Sequence, residues 1–292
     1  MRVVIVMPVG PGEEIGDTLE SVLAYADASR AVLLVDDSGA GPSGPVRQAG
    51  ARAGVHVVPA PPGAAGSRGG LWVKIAAGYR HACERFDFDL LLRMDTDALL
   101  LGPGVEDAAL RRFAEDARLG LLGSYRTGPD GAARDFAPAA RILAREAGAL
   151  GLRRPRLRAP LRRLLAEARR AGYQPGEHAL GGAFLHSAAA ARALHARGWL
   201  GLGRLAASGL GEDHLFALMT VAAGFRIGDF GRPGDPLALR WKGLPQHPDA
   251  LLAGGALVTH SVRGYGDLDE AAVRERFARA RRARPGRDAA GG

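Results

Sequence analysis

The apolar positions of the chain fall into short unbroken runs and stripes at helical spacing, and the two kinds alternate. RVVIVMP (2–8), AVLLVDD (31–37) and GVHVV (54–58) are unbroken runs, the pattern of strands buried on both faces. Between the first two, after a GPGEE turn, Ile15, Leu19, Val22, Leu23 and Ala26 repeat at helical spacing. That order predicts a parallel sheet covered by helices. After a Pro/Gly-rich loop (59–70), Ile75, Tyr79, Ala82, Cys83 and Phe86 line a helix that delivers the chain to the strand DLLLRM (89–94).

Beyond residue 118, LGLLGS predicts another strand. Residues 126–180 lose clear periodicity, apart from a helix opened near Pro160 with Leu161, Leu164, Leu165 and Ala168 inside. An Ala-rich helix follows ALGGAFLHS (179–187), and Leu215, Leu218, Met219 and Ala222 form a further stripe after GLGED. FRIGDF and ALVTH are expected as late short strands, and a charged helix from 267 runs into a frayed tail, ARPGRDAAGG. No repeat or linker splits the 292 residues into independent domains.

Charge adds one local feature. The formal charge of +8 suggests a polyanion binder, but all basic residues other than Lys74 and Lys242 are arginines, a bias with a source in nucleotide composition. Residues 151–170 alone carry eight Arg and one Glu, which excludes a whole-surface nucleic-acid binder. This segment can attract an anionic acceptor, rest on an anionic membrane surface through its Leu stripe and Arg face, form a mobile flap, or simply be a solvated helix. The single Cys83 excludes a disulfide framework or a cysteine zinc site within one chain. MRVVIVMPVG is too short for a signal sequence with its cleavage site, and no stretch approaches a membrane span. The expected location is cytoplasmic, with peripheral contact at the inner membrane face open.

The chemistry concentrates in DTD, residues 95–97, at the carboxyl end of a predicted strand, the edge where open α/β sheets bind ligands. Asp95 and Asp97 repel each other unless a cation lies between them. An Asp-x-Asp pair suits a hard divalent ion with positions left for phosphate oxygens, although two capping or solvated turn residues have the same spelling. Asp36 and Asp37 end another strand in the same way, so four carboxylates are expected to converge on one crevice.

Taken in order, these pieces resemble the GT-A glycosyltransferases, particularly the family 2-like group that uses nucleotide-sugar donors. VIVMPVGPGEEIGDTLESVLA is similar to that group's opening strand, loop and helix, LLVDDSG to its second strand, and LWVKIAAGYRHACERFDFDLLLRMDTDALLLGPG to its helix, strand and DxD. LGGAFLHSAAAARALHARGWL followed by GLGEDHLFALMTVAAGFRIGD resembles its acceptor-side Gly-Gly segment and Glu-Asp motif. The resemblance covers residues 2–230 and implies an α/β fold of GT-A type, with a mostly parallel Rossmann-like sheet flanked by helices. It implies a donor half (1–125), an acceptor and catalytic half (126–266) and a C-terminal helix with tail (267–292).

The resemblance implies a nucleoside-diphosphate sugar donor, UDP- or GDP-type, a hydroxyl acceptor, and Mn2+ or Mg2+. It assigns Asp36 and Asp37 to base and ribose, with a loop of Pro8, Val9 and Gly10 closing over the base. Asp95 and Thr96 face the donor, and Asp95 and Asp97 hold the metal. Asp213 becomes the general base of an inverting displacement, with Glu212 beside it, and Gly181 and Gly182 lie on the acceptor side. His260, ending ALVTH, is expected as a third metal ligand, with His186 and His214 as weaker candidates. Lys74 is placed to reach a phosphate or to be a solvated helix residue, and Trp241 to stack on a sugar or pack in a loop.

Each residue also has a bland reading, Asp36 and Asp37 as turn formers and Glu212 and Asp213 as acids favoured by a helix dipole. Two departures from the group stand out: DDSG replaces DDGS, and RWKGLP lacks the Gln of processive enzymes, Leu237 standing in its place. The alternatives are a retaining enzyme using DxD plus His260, a sugar-phosphate nucleotidyltransferase, and a noncatalytic basic binding module.

Overall fold

The computed structural model describes residues 1–38, 42, 44–62 and 68–283. Part of the Pro/Gly-rich loop at 59–70 and the tail from 284 lie outside them. The order is β1 (Val3–Val9), α1 (Gly16–Tyr25), β2 (Arg30–Asp36), α2 (Gly44–Gly50), β3 (Val55–Pro59), α3 (Arg68–Arg85), β4 (Leu90–Met94), β5 (Ala98–Leu100), α4 (Val105–Glu115) and β6 (Leu119–Gly123). There follow α5 (Ala137–Ala147), α6 (Pro155–Arg170), β7 (Ala183–Ser187), α7 (Ala188–Ala196), α8 (Glu212–Ala222), β8 (Arg226–Asp229), β9 (Leu237–Leu239), α9 (Pro248–Ala253), β10 (Val258–His260), β11 (Gly264–Tyr265), β12 (Leu268–Asp269) and α10 (Glu270–Ala283).

The main sheet has the order β3-β2-β1-β4-β7-β6-β8. Its β1–β2, β2–β3, β1–β4 and β6–β8 pairings are parallel, while β7 runs antiparallel to β4 and β6. The mostly parallel α/β architecture expected from the apolar runs is therefore present. The burial of every residue of β1 explains its lack of polar alternation, because helices cover both faces. On one face Val4, Val6, Leu33 and Val35 pack under Trp72, Ile75 and Tyr79 of α3, in a core continuous with α6 and α8. On the other, Val3, Ile5 and Met7 pack with Leu19 and Val22 of α1 and Val46 of α2.

Two features position the site. β4 stops at Met94, and the chain turns through Asp95–Asp97 into β5, which belongs to a smaller β5-β10-β9 sheet. There His260 of β10 stands opposite Ala98 in antiparallel register, so the last residue of one strand returns to the turn that begins another. β7 is the second feature: it places Gly181 and Gly182 beside the end of β4, where Met94 pairs with Ala183.

Three expectations need correction. Pro8 and Val9 are not in a loop: β1 continues through them, with Pro8 opposite Val35 and Val9 opposite Asp36. The Leu stripe of the Arg-rich segment is neither a flap nor free to enter a membrane. Leu157, Leu161, Leu164, Leu165 and Ala168 are buried in the main core with α5 and α8. Finally, α5 lies inside the stretch that lacked clear periodicity. Its buried positions Ala139, Leu143 and Ala147 are spaced by four but two are alanines, which mark a buried face only weakly.

Close contact of α3 with the sheet depends on Gly78, where an added Cβ would meet Val6 Cγ1 at 2.5 Å and Val35 Cγ2 at 2.9 Å. Gly78→Val therefore overpacks the helix–sheet seam and is expected to destabilise by about 2–3 kcal/mol, read as a lower urea midpoint at unchanged slope.

Candidate functional site

The Asp95–Asp97 turn is fixed by its backbone before its carboxylates do anything. Asp95 N donates to Gly182 O (2.8 Å) and Ala98 N to Asp95 O (3.1 Å). Thr18 Oγ1 donates to Thr96 O (2.5 Å), and Thr96 Oγ1 donates to Glu13 Oε2 (3.0 Å). Opposite the turn, His260 Nε2 lies 3.2 Å from Asp97 Oδ1 and 3.8 Å from Asp95 Oδ2. His260 Nδ1 is 2.9 Å from Arg240 O, and since a carbonyl only accepts, Nδ1 carries the proton. That leaves Nε2 facing two carboxylates. Asp95, Asp97 and His260 present ligand atoms within 4.8 Å of one another, a hard oxygen pair completed by an imidazole whose tautomer is set from behind. These residues fit a divalent cation.

Asp97 is the better anchored of the two acids. Burial opposes its ionisation, but His260, the Ser261 hydroxyl (2.7 Å) and Arg263 Nε (2.8 Å) outweigh burial and hold its carboxyl well below the usual range. Asp95 is held by Arg93, whose NH2 reaches Asp95 Oδ1 and Glu212 Oε1 at 2.8 Å each. Arg93 is fully buried, and its Nε and NH1 have no hydrogen-bond partner among the described residues. It binds the end of β4 to the start of α8.

A second acid–histidine group sits at that helix start. Asp213 Oδ1 is 2.6 Å from His214 Nδ1, and Asp213 Oδ2 accepts from Gly181 N (3.1 Å) and lies 4.0 Å from His178 Nε2. The rings of His178 and His214 stack at 3.7 Å. Although burial opposes it, the Asp213 carboxyl is held below the usual range by the neighbouring His214. Glu212 moves the other way: burial, then the charges of Asp213 and Asp95, raise it against the pull of Arg93. Burial lowers His178 to about 4. Its Nδ1–H donates to Gly176 O (2.8 Å), leaving Nε2 to accept from Arg134 NH2 (2.7 Å). His178, Asp213 and His214 also lie close enough to share a cation, but Arg134 already occupies the His178 lone pair.

Both groups open on one cavity of about 680 Å³, lined also by Pro8, Glu13, Lys74, Gly181, Gly182 and Trp241. Lys74 is buried, in the second turn of α3, with Nζ 2.7 Å from Asp37 Oδ2, so it is not a solvated helix residue. Asp36 accepts from Ser38 Oγ (2.5 Å). Neither Asp36 nor Asp37 lines the cavity, so the expected convergence of four carboxylates is half met; Asp37 touches the cavity only through Lys74. Val9 and Gly10 stand outside the lining too, Gly10 N donating to Glu13 Oε2 (3.0 Å).

The glycine pair has a structural task. Gly181 holds Asp213, and Gly182, at φ +96°, would bring an added Cβ to 2.5 Å from the His260 ring. Trp241 is 69% exposed at the cavity rim, with Lys242 Nζ 4.8 Å from its ring. His186 is excluded from the metal group, buried between Tyr79 and Thr220. The sequence reading missed Glu13, Arg93, Arg134, His178 and Arg263. Only Arg93 carried a legible signal, a charge inside a strand that is otherwise apolar.

No family model matches the chain, and no curated protein matches it. Among solved structures it is similar to the bifunctional glycosyltransferase WbbM, at 11% identity and a TM-score of 0.49 over 97% of this chain and 50% of that one. It is similar to residues 1–349 of S. aureus TarS at 13% identity and a TM-score of 0.44, over 96% and 71% of the two chains. A mycobacterial protein matches at 18% identity and a TM-score of 0.37, over 66% and 54%. The chain thus spans about half the length of WbbM.

The depressed Asp97 carboxyl gives a stability prediction with a definite sign. A carboxylate whose folded pKa lies below its unfolded value stabilises fully above about pH 4 and loses that contribution as pH falls toward the folded value. In EDTA, Asp97→Asn is expected to show a shallower fall of melting temperature than the parent between about pH 5 and 3. Parallel curves would show that Asp97 is not held ionised by its neighbours.

Proposed function

We propose that the protein is a metal-dependent GT-A glycosyltransferase moving one sugar from a nucleoside-diphosphate donor, UDP- or GDP-type, to an acceptor hydroxyl. One observation carries this reading: Asp95–Asp97–His260 and Asp213–His214 face the same cavity at the carboxyl end of β4, with Arg93 pairing Asp95 to Glu212, the neighbour of Asp213. A cation site beside an ionised carboxylate that is not one of its ligands suits a reaction with a charged leaving group and a proton to remove.

In this reading Asp95, Asp97 and His260 hold Mn2+ or Mg2+, which supplies positive charge to balance a departing diphosphate. Asp213, kept ionised by His214 and oriented by Gly181 N, takes the proton of the acceptor hydroxyl. The acceptor oxygen forms its bond to the anomeric carbon as the bond from that carbon to the diphosphate breaks, the electron pair leaving with the nucleotide. Glu212, clamped by Arg93, is a positioning residue for this arrangement. Lys74, paired with Asp37, is the cavity residue proposed to meet a donor phosphate, while Asp36 and Asp37, which stand off the cavity lining, are kept as candidates for base and ribose. Trp241 at the exposed rim offers a face for a sugar. The donor half at 1–125 and acceptor half at 126–266 are kept as part of this proposal.

A thermal-shift screen of nucleoside diphosphates and their sugars, with and without Mn2+, tests the binding half of the reading. One diphosphate is expected to raise the melting temperature with Mn2+ and to lose that effect in EDTA or in Asp97→Ala. No stabilisation by any nucleoside diphosphate with any divalent metal overturns the reading.

The chemical half is tested by Asp213→Asn, expected to bind that nucleotide as the parent does while lowering kcat about 10²–10⁴-fold. Inversion, assigned by NMR of the product anomer, is expected. Retention would remove Asp213 from the role of base.

A further inference from the structure

The glycosyltransferase reading leaves unused the basic feature that the sequence makes most prominent. Residues 137–170 carry ten arginines and two glutamates, a net charge equal to the +8 of the whole chain, so the remaining residues sum to zero. The structure gathers these charges onto one outer surface. With the leucines of α6 turned into the core, Arg156, Arg162, Arg163, Arg169 and Arg170 are left exposed on its far side. Arg141 and Arg145 are exposed on α5, which packs beside it. Of the two acids, Glu146 is buried under Ser208 and Gly209, and Glu167 is paired with Arg163. Apart from that Arg163–Glu167 pair, no ion pair among the described residues engages the exposed arginines of α5 and α6.

Between α5 and α6 the 3-10 turn Ala149–Arg153 presents Leu150 at 74% and Leu152 at 63% exposure. Only three other large apolar side chains are exposed among the described residues, so finding two of the five in one turn at the edge of the basic face is not scatter. A groove of about 350 Å³ between the two helices is lined by Ala144, Ala147, Leu165 and Ala166 together with Arg162 and Arg169. Guanidinium groups beside an apolar lining suit the phosphate of a phospholipid headgroup.

We propose that the α5–α6 face docks on an anionic lipid bilayer, with Leu150 and Leu152 entering the interface and the arginines lying on the headgroups. Nucleic acid fits this face less well, because residues 137–170 contain no aromatic side chain on which a base could stack. Two exposed leucines also have no partner on a phosphodiester backbone. This differs from an amphipathic helix lying in the membrane, since α6 keeps its apolar face in the protein and only the turn before it is offered to lipid. The docked face lies next to the cavity: Pro138, Ala139 and Ile142 of α5 line it.

Co-sedimentation of the full chain with vesicles tests this, comparing phosphatidylcholine alone with equal parts phosphatidylcholine and phosphatidylglycerol. Binding is expected only to the mixed vesicles. Replacing Arg162 and Arg169 together by Gln is expected to weaken it about 25-fold, about five-fold per arginine. Leu150→Ser with Leu152→Ser is expected to weaken it at least about ten-fold at unchanged melting temperature. Hydrogen exchange of the unaltered chain provides a readout free of variants, with residues 149–163 protected by mixed vesicles. The proposal is overturned by absence of binding to mixed vesicles or by full binding of the double Leu variant. It is also overturned by an RNA hairpin that displaces the vesicles and binds the double Leu variant unchanged.

Discussion

One buried guanidinium organises the site. Arg93 interrupts an apolar strand at a point fully shielded from water, and its NH2 is shared by Asp95 at the end of that strand and Glu212 at the start of α8. A buried charge is tolerable only if paired, and the partners of this one come from segments more than a hundred residues apart. The pairing fixes the distance between the DTD turn and the Glu-Asp turn. Around the cavity Glu13, Asp95, Asp97, Glu212 and Asp213 face Lys74, Lys242 and Arg263, with Lys74 committed to Asp37, Arg263 paired with Asp97, and Arg93 shared by Asp95 and Glu212. In the proposed reading a cation beside Asp95 and Asp97 would offset the repulsion between their carboxylates.

The two acid–histidine groups differ in ways that suit different tasks. His260 is oriented by a carbonyl at Nδ1 and turns Nε2 toward two carboxylates, with no donor among the described residues occupying that nitrogen. His178 is oriented in the same way, but its Nε2 accepts from Arg134, and a cation would have to displace a guanidinium to reach it. The donor set of the first group suits a shared cation, whereas the second holds an ionised carboxylate. Adjacent glycines serve both, Gly181 through its N–H to Asp213 and Gly182 by letting the backbone approach His260.

How much of this was legible depended on what each residue's signal was made of. Strands buried on both faces declared themselves through unbroken apolar runs, and β1, β2, β3 and β4 fell within a residue or two of their expected limits. β7 did not, because AFLHS follows Gly-Gly and includes a histidine whose polar partners, Tyr79 and Thr220, only the fold supplies. In the site, DTD and His260 were visible because the pattern of acids and late strands is local. Arg134 and His178 were not, since their role lies in a hydrogen-bond chain joining segments with no periodicity. Asp36 and Asp37 sat at the expected strand end, yet one is spent on Ser38 and the other on Lys74, a competition that strand position alone does not reveal.

The proposed metal ligands are Asp95, Asp97 and His260 rather than the nearby His178 group. Crystals soaked in Mn2+ with a nucleoside diphosphate, measured at the manganese absorption edge, test this assignment directly. One anomalous peak bounded by Asp95, Asp97 and His260, absent in Asp97→Ala, is expected. A peak bounded instead by His178, Asp213 and His214, or no peak at either group, would contradict it.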